Sequence, residues 1–178
     1  MRKRIPRARA AAKKGLGWKH LVESARRAQK LAYCPYSRFP VGAAVLTAAG
    51  KVFTGANVEN ASYGLSLCAE RVAIFRAVAS GLREIKAVAV AAKLPRPCGA
   101  CRQVMSEFSR PKTPVYLFKV AASKDGALRK TTVGSLIPHA FDPVESGLLP
   151  FDPRPEENPS PAETEGRRRR RKDGKPEA

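Results

Sequence analysis

Apolar and polar positions alternate in distinct rhythms along the chain, and each rhythm predicts an element. Between Trp18 and Tyr33, Trp18, Leu21, Val22, Ala25, Ala28 and Ala32 fall at three- and four-residue steps, while Lys19, Glu23, Arg26, Arg27 and Lys30 fill the other side. That spacing predicts a helix resting one face on a core. It stops before Pro35, because the residue ahead of a proline disfavours helical geometry. Val41–Thr47 and Lys51–Asn57 are short runs rich in Val, Ala, Phe and Thr joined by Ala48-Ala49-Gly50, a predicted hairpin. Ser66 is placed to cap a helix over Leu67–Ser80 that ends at Gly81, with Leu67, Val72, Ile74, Phe75 and Val78 on its apolar side. Glu84–Ala92 contains AVAVAA, a run suited to a strand buried on both faces. A helix over Cys98–Ser109 follows, with Val104, Met105 and Phe108 inward. Then come a strand over Pro114–Val120, a turn at Asp125-Gly126, a strand over Ala127–Thr132 and a helical turn at Val133–Leu136. This order predicts an α/β fold, a three-layer α/β/α sandwich with a mixed central sheet.

Composition sets the limits of that domain. The chain has 178 residues, 43% of them apolar, enough for one core. No apolar run approaches the ~20 residues that span a bilayer, and the basic start lacks the apolar stretch of a secretory signal. A cytoplasmic protein without membrane attachment is expected. The Arg-rich, acid-poor start faintly resembles an organelle transit peptide but lacks its serines. The net charge of +19 is uneven: residues 1–30 hold 11 Lys and Arg against 1 acid. Residues 1–17 read as a basic disordered arm and residues 18–150 as the folded domain. Residues 151–178, with their prolines and the run Arg167–Arg171, read as a disordered tail. Such arms attract phosphates, which leaves a nucleic-acid partner open beside the plainer reading of solvated basic tails. The core itself shows no evident aromatic-and-basic stripe for stacking bases.

The chemistry concentrates in two stretches, Leu67-Cys68-Ala69-Glu70-Arg71 and Pro97-Cys98-Gly99-Ala100-Cys101-Arg102. Cys68 and Cys98 each fall at a predicted helix start, where the helix dipole favours the thiolates that bind metal. Cys68, Cys98 and Cys101 offer three soft ligands, so a zinc ion would keep one position for water. Cys34 could close the site instead, although it lies in a Cys-Pro turn at a helix end. His20 and His139 lie near opposite ends of the domain. Glu70, two residues after Cys68, could carry a proton to or from that water. Arg71, with Arg102 as a second candidate, would offset the charge of three thiolates. Taken singly, a CxxC pair reads equally as a redox pair or a structural half-site, and Glu70 as a solvated side chain. Their conjunction favours a catalytic site.

These residues, with Ala32-Tyr33-Cys34-Pro35-Tyr36-Ser37-Arg38-Phe39-Pro40-Val41-Gly42-Ala43-Ala44 and Gly55-Ala56-Asn57-Val58-Glu59-Asn60-Ala61-Ser62-Tyr63-Gly64, resemble the small three-cysteine cytidine deaminases over roughly residues 18–142. The resemblance implies one zinc per subunit on Cys68, Cys98 and Cys101, with Glu70 shuttling protons during hydrolytic deamination of cytidine and deoxycytidine in pyrimidine salvage. It implies that Asn57 and Glu59 bind ribose hydroxyls, that Phe39 packs on the base, and that Asn60, Ala61 and Tyr63 line the pocket. The backbone of Ala69 would face the pyrimidine edge. It further implies a homotetramer in which Phe141 reaches a neighbour's site. The loop Lys93–Pro97 is a few residues shorter than is usual for the family, and the basic ends lie outside its pattern. Two other classes are weighed against this reading. One is a nucleic-acid-binding or editing protein using the same zinc site and the basic arms; the other is a zinc-stabilised scaffold without catalysis.

Overall fold

The computed structural model describes residues 17–120, 126–149 and 152–154. Residues 1–16 of the basic arm, Arg167–Arg171 and Asp125 of the predicted turn lie outside the described residues. Helix α1 spans Trp18–Gln29, strands β1 and β2 span Gly42–Thr47 and Val52–Ala56, and helix α2 spans Ala69–Ala79. Strand β3 covers Ile85–Ala92, helix α3 Gly99–Phe108, strands β4 and β5 Pro114–Lys119 and Ala127–Thr132, and helix α4 Val133–Leu136. The five strands form one sheet in the order β2-β1-β3-β4-β5. Only the β3–β4 pair is parallel, so the sheet is mixed as predicted.

The sequence of β3 explains the layering. Its side chains alternate across the sheet, so Val88 and Val90 face α2, α3 and α4, while Ala87, Ala89 and Ala91 face α1. Leu21, Val22 and Ala25 of α1 fill the alanine side, and Ile74, Met105 and Val115 fill the other. Two glycines set how close the helices come. A Cβ on Gly42 would lie 2.1 Å from the Ala25 carbonyl oxygen, and one on Gly55 would lie 2.4 Å from that of Ala69. Both strands therefore accept a helix backbone where any side chain would hold it off.

That close approach corrects part of the expected face of α2, in which Ile74 and Val78 do pack on the core. The helix buries Ala69, Glu70, Ala73, Ile74 and Ala77. Phe75 is 41% exposed, and Leu67 is also exposed. Small residues go inward because the helix lies against the sheet at near-backbone distance, which leaves no room for Phe75. The predicted start of α2 moves too. Cys68, not Ser66, is the N-cap, with extended φ −71° and ψ 152°. The Ser66 hydroxyl instead accepts the Asn60 amide at 3.0 Å. Finally, residues 152–154, assigned by sequence to the tail, pack back on the domain with Arg154 buried. Its charge is matched by Asp142 and Asp152, partners that a local composition reading does not pair.

Candidate active site

The site forms where three loops are laced together at the end of β2. Val58 is the central thread. It exchanges backbone hydrogen bonds with Leu67, amide to carbonyl in both directions at 3.0 and 2.9 Å. On its other side the Tyr33 amide donates to the Asn57 carbonyl at 3.0 Å and the Glu59 amide to the Tyr33 carbonyl at 2.8 Å. This miniature ladder brings Asn57–Glu59 beside the residue that precedes Cys68.

The cysteines converge as the spacing predicts. Cys68 caps α2 and Cys98 caps α3, and Cys101 lies on the first turn of α3. Their Sγ atoms all lie within 4.8 Å of one another, with Cys68–Cys98 at 3.9 Å and Cys98–Cys101 at 3.5 Å. Sulfurs occupying three corners of a zinc tetrahedron sit about 3.8 Å apart, given Zn–S bonds of about 2.3 Å. The donor set and its dimensions therefore fit one zinc ion per chain. Cys34, His20 and His139 are not in this group, which leaves the fourth position to water or substrate among the described residues.

The charges around the thiols are graded. Hydrogen bonding from Cys101 first, and then from Arg71 and Cys98, holds the Cys68 thiol down at about 5. The Arg71 Nη2 donates to Cys68 Sγ at 3.8 Å and to the Ser66 carbonyl at 3.3 Å, which sets a positive charge beside that thiol. Arg102 is elsewhere. It donates to the Pro97 carbonyl at 2.8 Å and the Leu136 carbonyl at 3.0 Å, fixing the loop ahead of Cys98 to the end of α4. Glu70 is 4% exposed on the first turn of α2. Burial pushes its carboxyl above the usual range and the nearby Cys68 charge adds to this; its own amide, Cys101 and Arg71 oppose. A buried carboxyl held ready to keep a proton is suited to proton transfer.

Asn57 and Glu59 have partners that their sequence positions did not suggest. The Asn57 side chain accepts the Val41 amide at 2.8 Å and donates to the Phe39 carbonyl at 3.0 Å. The Glu59 carboxylate accepts the Tyr36 amide at 2.9 Å, the Ser37 amide at 3.2 Å and the Ser37 hydroxyl. The Ser37 hydroxyl hydrogen bond is the largest influence on the Glu59 carboxyl; burial opposes it, the Ser37 and Tyr36 amides reinforce it, and the group lies below the usual range. Both side chains thus fasten the backbone of residues 36–41, which carries the half-buried Phe39. Ser37 has a role that sequence reasoning missed. Its hydroxyl also accepts the Phe39 amide at 3.1 Å, a turn signalled by Ser at i and a non-glycine, Arg38, with φ 54°. Asn60 and Ala61 are exposed on the adjoining loop. Tyr63, also exposed, meets Tyr36 edge to face with ring centres 5.8 Å apart. Ala69 is buried between Cys68 and Glu70, and Phe141 is exposed, its carbonyl accepting Gln103 Nε2 at 3.3 Å.

Comparison with known proteins fits this geometry. Residues 18–117 match the family profile described as "Cytidine and deoxycytidylate deaminase zinc-binding region". A cytidine deaminase of Halalkalibacterium halodurans is 50% identical over 124 residues, 68% of this chain and 91% of that protein. One of Sporosarcina psychrophila is 46% identical over 124 residues, 68% and 88% of the respective chains. The crystal structure of a cytidine deaminase from Burkholderia pseudomallei aligns with a TM-score of 0.65 at 48% identity, covering 71% of this chain and all of that one. The chain belongs to the cytidine and deoxycytidylate deaminase zinc-binding family.

Proposed function

We propose that the protein hydrolyses cytidine and deoxycytidine to uridine and deoxyuridine with release of ammonia. The observation that carries this reading is the placement of a buried carboxylate, Glu70, on the same helical turn that follows Cys68 in a three-thiol cluster. Zinc on Cys68, Cys98 and Cys101, when bound, supplies the Lewis acidity that lowers the pKa of water at its fourth position. Water adds to C4 of the cytosine ring. Glu70 takes its proton, gives a proton to N3, and delivers the next to the departing amino group, leaving the C4 carbonyl and ammonia. Arg71 offsets the thiolate charge that would otherwise disfavour this proton loss. The Ala69 backbone faces the pyrimidine edge.

Substrate selection falls to the laced loops. Phe39 packs on the base, and Asn60, Ala61 and Tyr63 line the pocket. Asn57 and Glu59 reach the ribose hydroxyls with the capacity that their backbone partners leave, since an amide and a carboxylate can together serve a diol. A homotetramer, with Phe141 entering a neighbour's pocket, accounts for the apolar surface left on one chain. Leu31, Tyr33, Val58, Leu65, Leu67 and Phe75 are all exposed, more than scattered surface residues require. The site works in the cytoplasm, where thiols stay reduced; no described helix is long and apolar enough to cross a membrane. A substrate panel tests the reading. Zinc-loaded protein is expected to deaminate cytidine and deoxycytidine and to leave free cytosine unreacted, followed by absorbance. Inertness toward both nucleosides would overturn it.

A polyanion contact through the basic ends is a second reading, and the 11 Lys and Arg against 1 acid in residues 1–30 support it. On the α1 side of the sheet, opposite the cysteines, three aromatic rings have basic neighbours, with Tyr116 and Phe118 packed on the core. Trp18 stacks on Tyr116 at 6.2 Å, Lys19 lies 5.7 Å from the Trp18 ring, and Arg26 lies 5.2 Å from Phe118. Lys130 pairs with Tyr116 across β4 and β5. Titrating a single-stranded oligonucleotide against salt, with residues 1–17 and 162–178 removed, tests this contact. Unchanged binding on truncation would deny the basic ends a role.

A further inference from the structure

The described residues after α4, 137–149 and 152–154, stay on the domain along α3. Arg102 holds the last residue of α4 through the Leu136 carbonyl at 3.0 Å, and Gln103 holds the Phe141 carbonyl at 3.3 Å. Asp142 follows Phe141 directly and opens a closed turn. Its Oδ1 accepts the Val144 amide at 2.8 Å, and its backbone carbonyl accepts the Ser146 amide at 3.0 Å. The far end of this strap is locked by charge. Arg154 Nη2 donates to Asp142 Oδ2 at 3.0 Å, and its Nε donates to Asp152 Oδ1 at 2.6 Å. Arg110, just past the end of α3, donates to Asp152 Oδ2 at 3.1 Å and to the Arg154 carbonyl at 3.0 Å.

Two arginines and two aspartates from three separate stretches of chain thus neutralise one another at one place. Arg154 is 8% exposed there. A guanidinium this buried, with both its faces of donors engaged by carboxylates, holds its partners far more firmly than a surface ion pair does. Its contact to Asp142 is one peptide unit from Phe141. The Phe141 backbone is therefore fixed from both sides, by Gln103 on its carbonyl and by Arg154 through Asp142, although its ring stands out from the chain.

We infer that Arg154, braced by Arg110 and Asp152, is a positioning residue that sets the direction in which Phe141 projects. This rests on the reading that Phe141 enters a neighbouring subunit's pocket. Residues that composition assigns to a loose tail would then tune substrate binding at a site on another chain, without touching substrate themselves.

A double-mutant cycle between Arg154→Ala and Phe141→Ala tests it, because residues acting through one another are non-additive. Each single variant is expected to raise KM for cytidine about tenfold with zinc content unchanged. In the Phe141→Ala background, Arg154→Ala should add less than about twofold. Arg154→Lys, which keeps the charge but gives up the paired contacts, should show an intermediate rise that is likewise lost in that background; it serves as the probe if the alanine variant does not fold. Additive effects, or an unchanged KM in both Arg154 variants while Phe141→Ala raises it, would overturn the positioning role alone. An unchanged KM in Phe141→Ala would instead remove the Phe141 reading on which the inference rests.

Discussion

Replacing Gly55 with alanine tests how the site is seated on the fold. The new Cβ would lie 2.4 Å from the Ala69 carbonyl oxygen, 2.5 Å from the Ala73 amide nitrogen and 2.9 Å from Val72 Cβ. Two of the three are backbone atoms of α2, so no flexible side chain can swing aside. Reaching an ordinary contact of 3.4 Å requires strand and helix to part by about 1 Å. Overpacking of this kind costs about 1–3 kcal/mol, which for a domain of this size lowers Tm by about 4–11 °C. The displaced turn of α2 is the one that carries Cys68 and Glu70, and an error of about 1 Å at reacting groups can cost about a hundredfold in rate. Thermal unfolding followed by circular dichroism, with zinc stoichiometry and kcat on the same preparation, reads both effects. Gly64→Ala, where a Cβ meets nothing within 4 Å, should leave Tm within about 2 °C. A Gly55→Ala protein with wild-type Tm and kcat would refute the claim that this close approach seats the site.

Three further outcomes follow from the same contacts. Asn57→Ala leaves the Val41 amide and the Phe39 carbonyl without their side-chain partner; it should cost about 1–3 kcal/mol in denaturant unfolding and raise KM for cytidine, and wild-type values of both would contradict the role given to it. Chelation should lower Tm by about 10 °C or more, since metal binding is coupled to the folded state. Zinc should restore it and magnesium should not, because thiolates select soft ions; restoration by magnesium would count against the thiol site. In acid, burial tends to raise the carboxyls of Asp142 and Asp152, but the Val144 amide and Arg154 outweigh this for Asp142 and Arg154 and Arg110 for Asp152, so both lie below the usual aspartate range. A lowered folded pKa gives stability that is complete above the ordinary value near 3.9 and is lost as pH falls through the lower folded value. Protection of residues 142–149 and 152–154 against proteolysis should thus hold down to about pH 4 and fail below it, whereas loss between pH 7 and 5 would contradict the pairing.

Much of this molecule is legible along the chain because local rules and global packing agree. The alternation in β3 and the three- and four-residue steps in α1 mark their elements to within a few residues. The CxxC pair, with Cys68 a strand and a helix away, converges because both groups open helices on one side of the sheet. What was not legible depends on approach distances and distant partners. The inward face of α2 is decided by Gly55 on another strand, which hydrophobicity along α2 cannot reveal. Asn57 and Glu59 are marked as important, but their hold on residues 36–41 comes from the ladder through Val58. Arg154 sits in a proline-rich stretch of tail-like composition, yet its charge is matched by aspartates two and twelve residues before it.

The central claim is that Glu70 moves protons beside a zinc ion that it does not hold. Glu70→Gln keeps the shape of the side chain, its place on α2 and all three thiols. The account predicts a protein that retains one zinc per chain by metal analysis and binds cytidine, with kcat lower by at least about 10²–10⁴. Near-normal turnover, or loss of zinc together with activity, would contradict it.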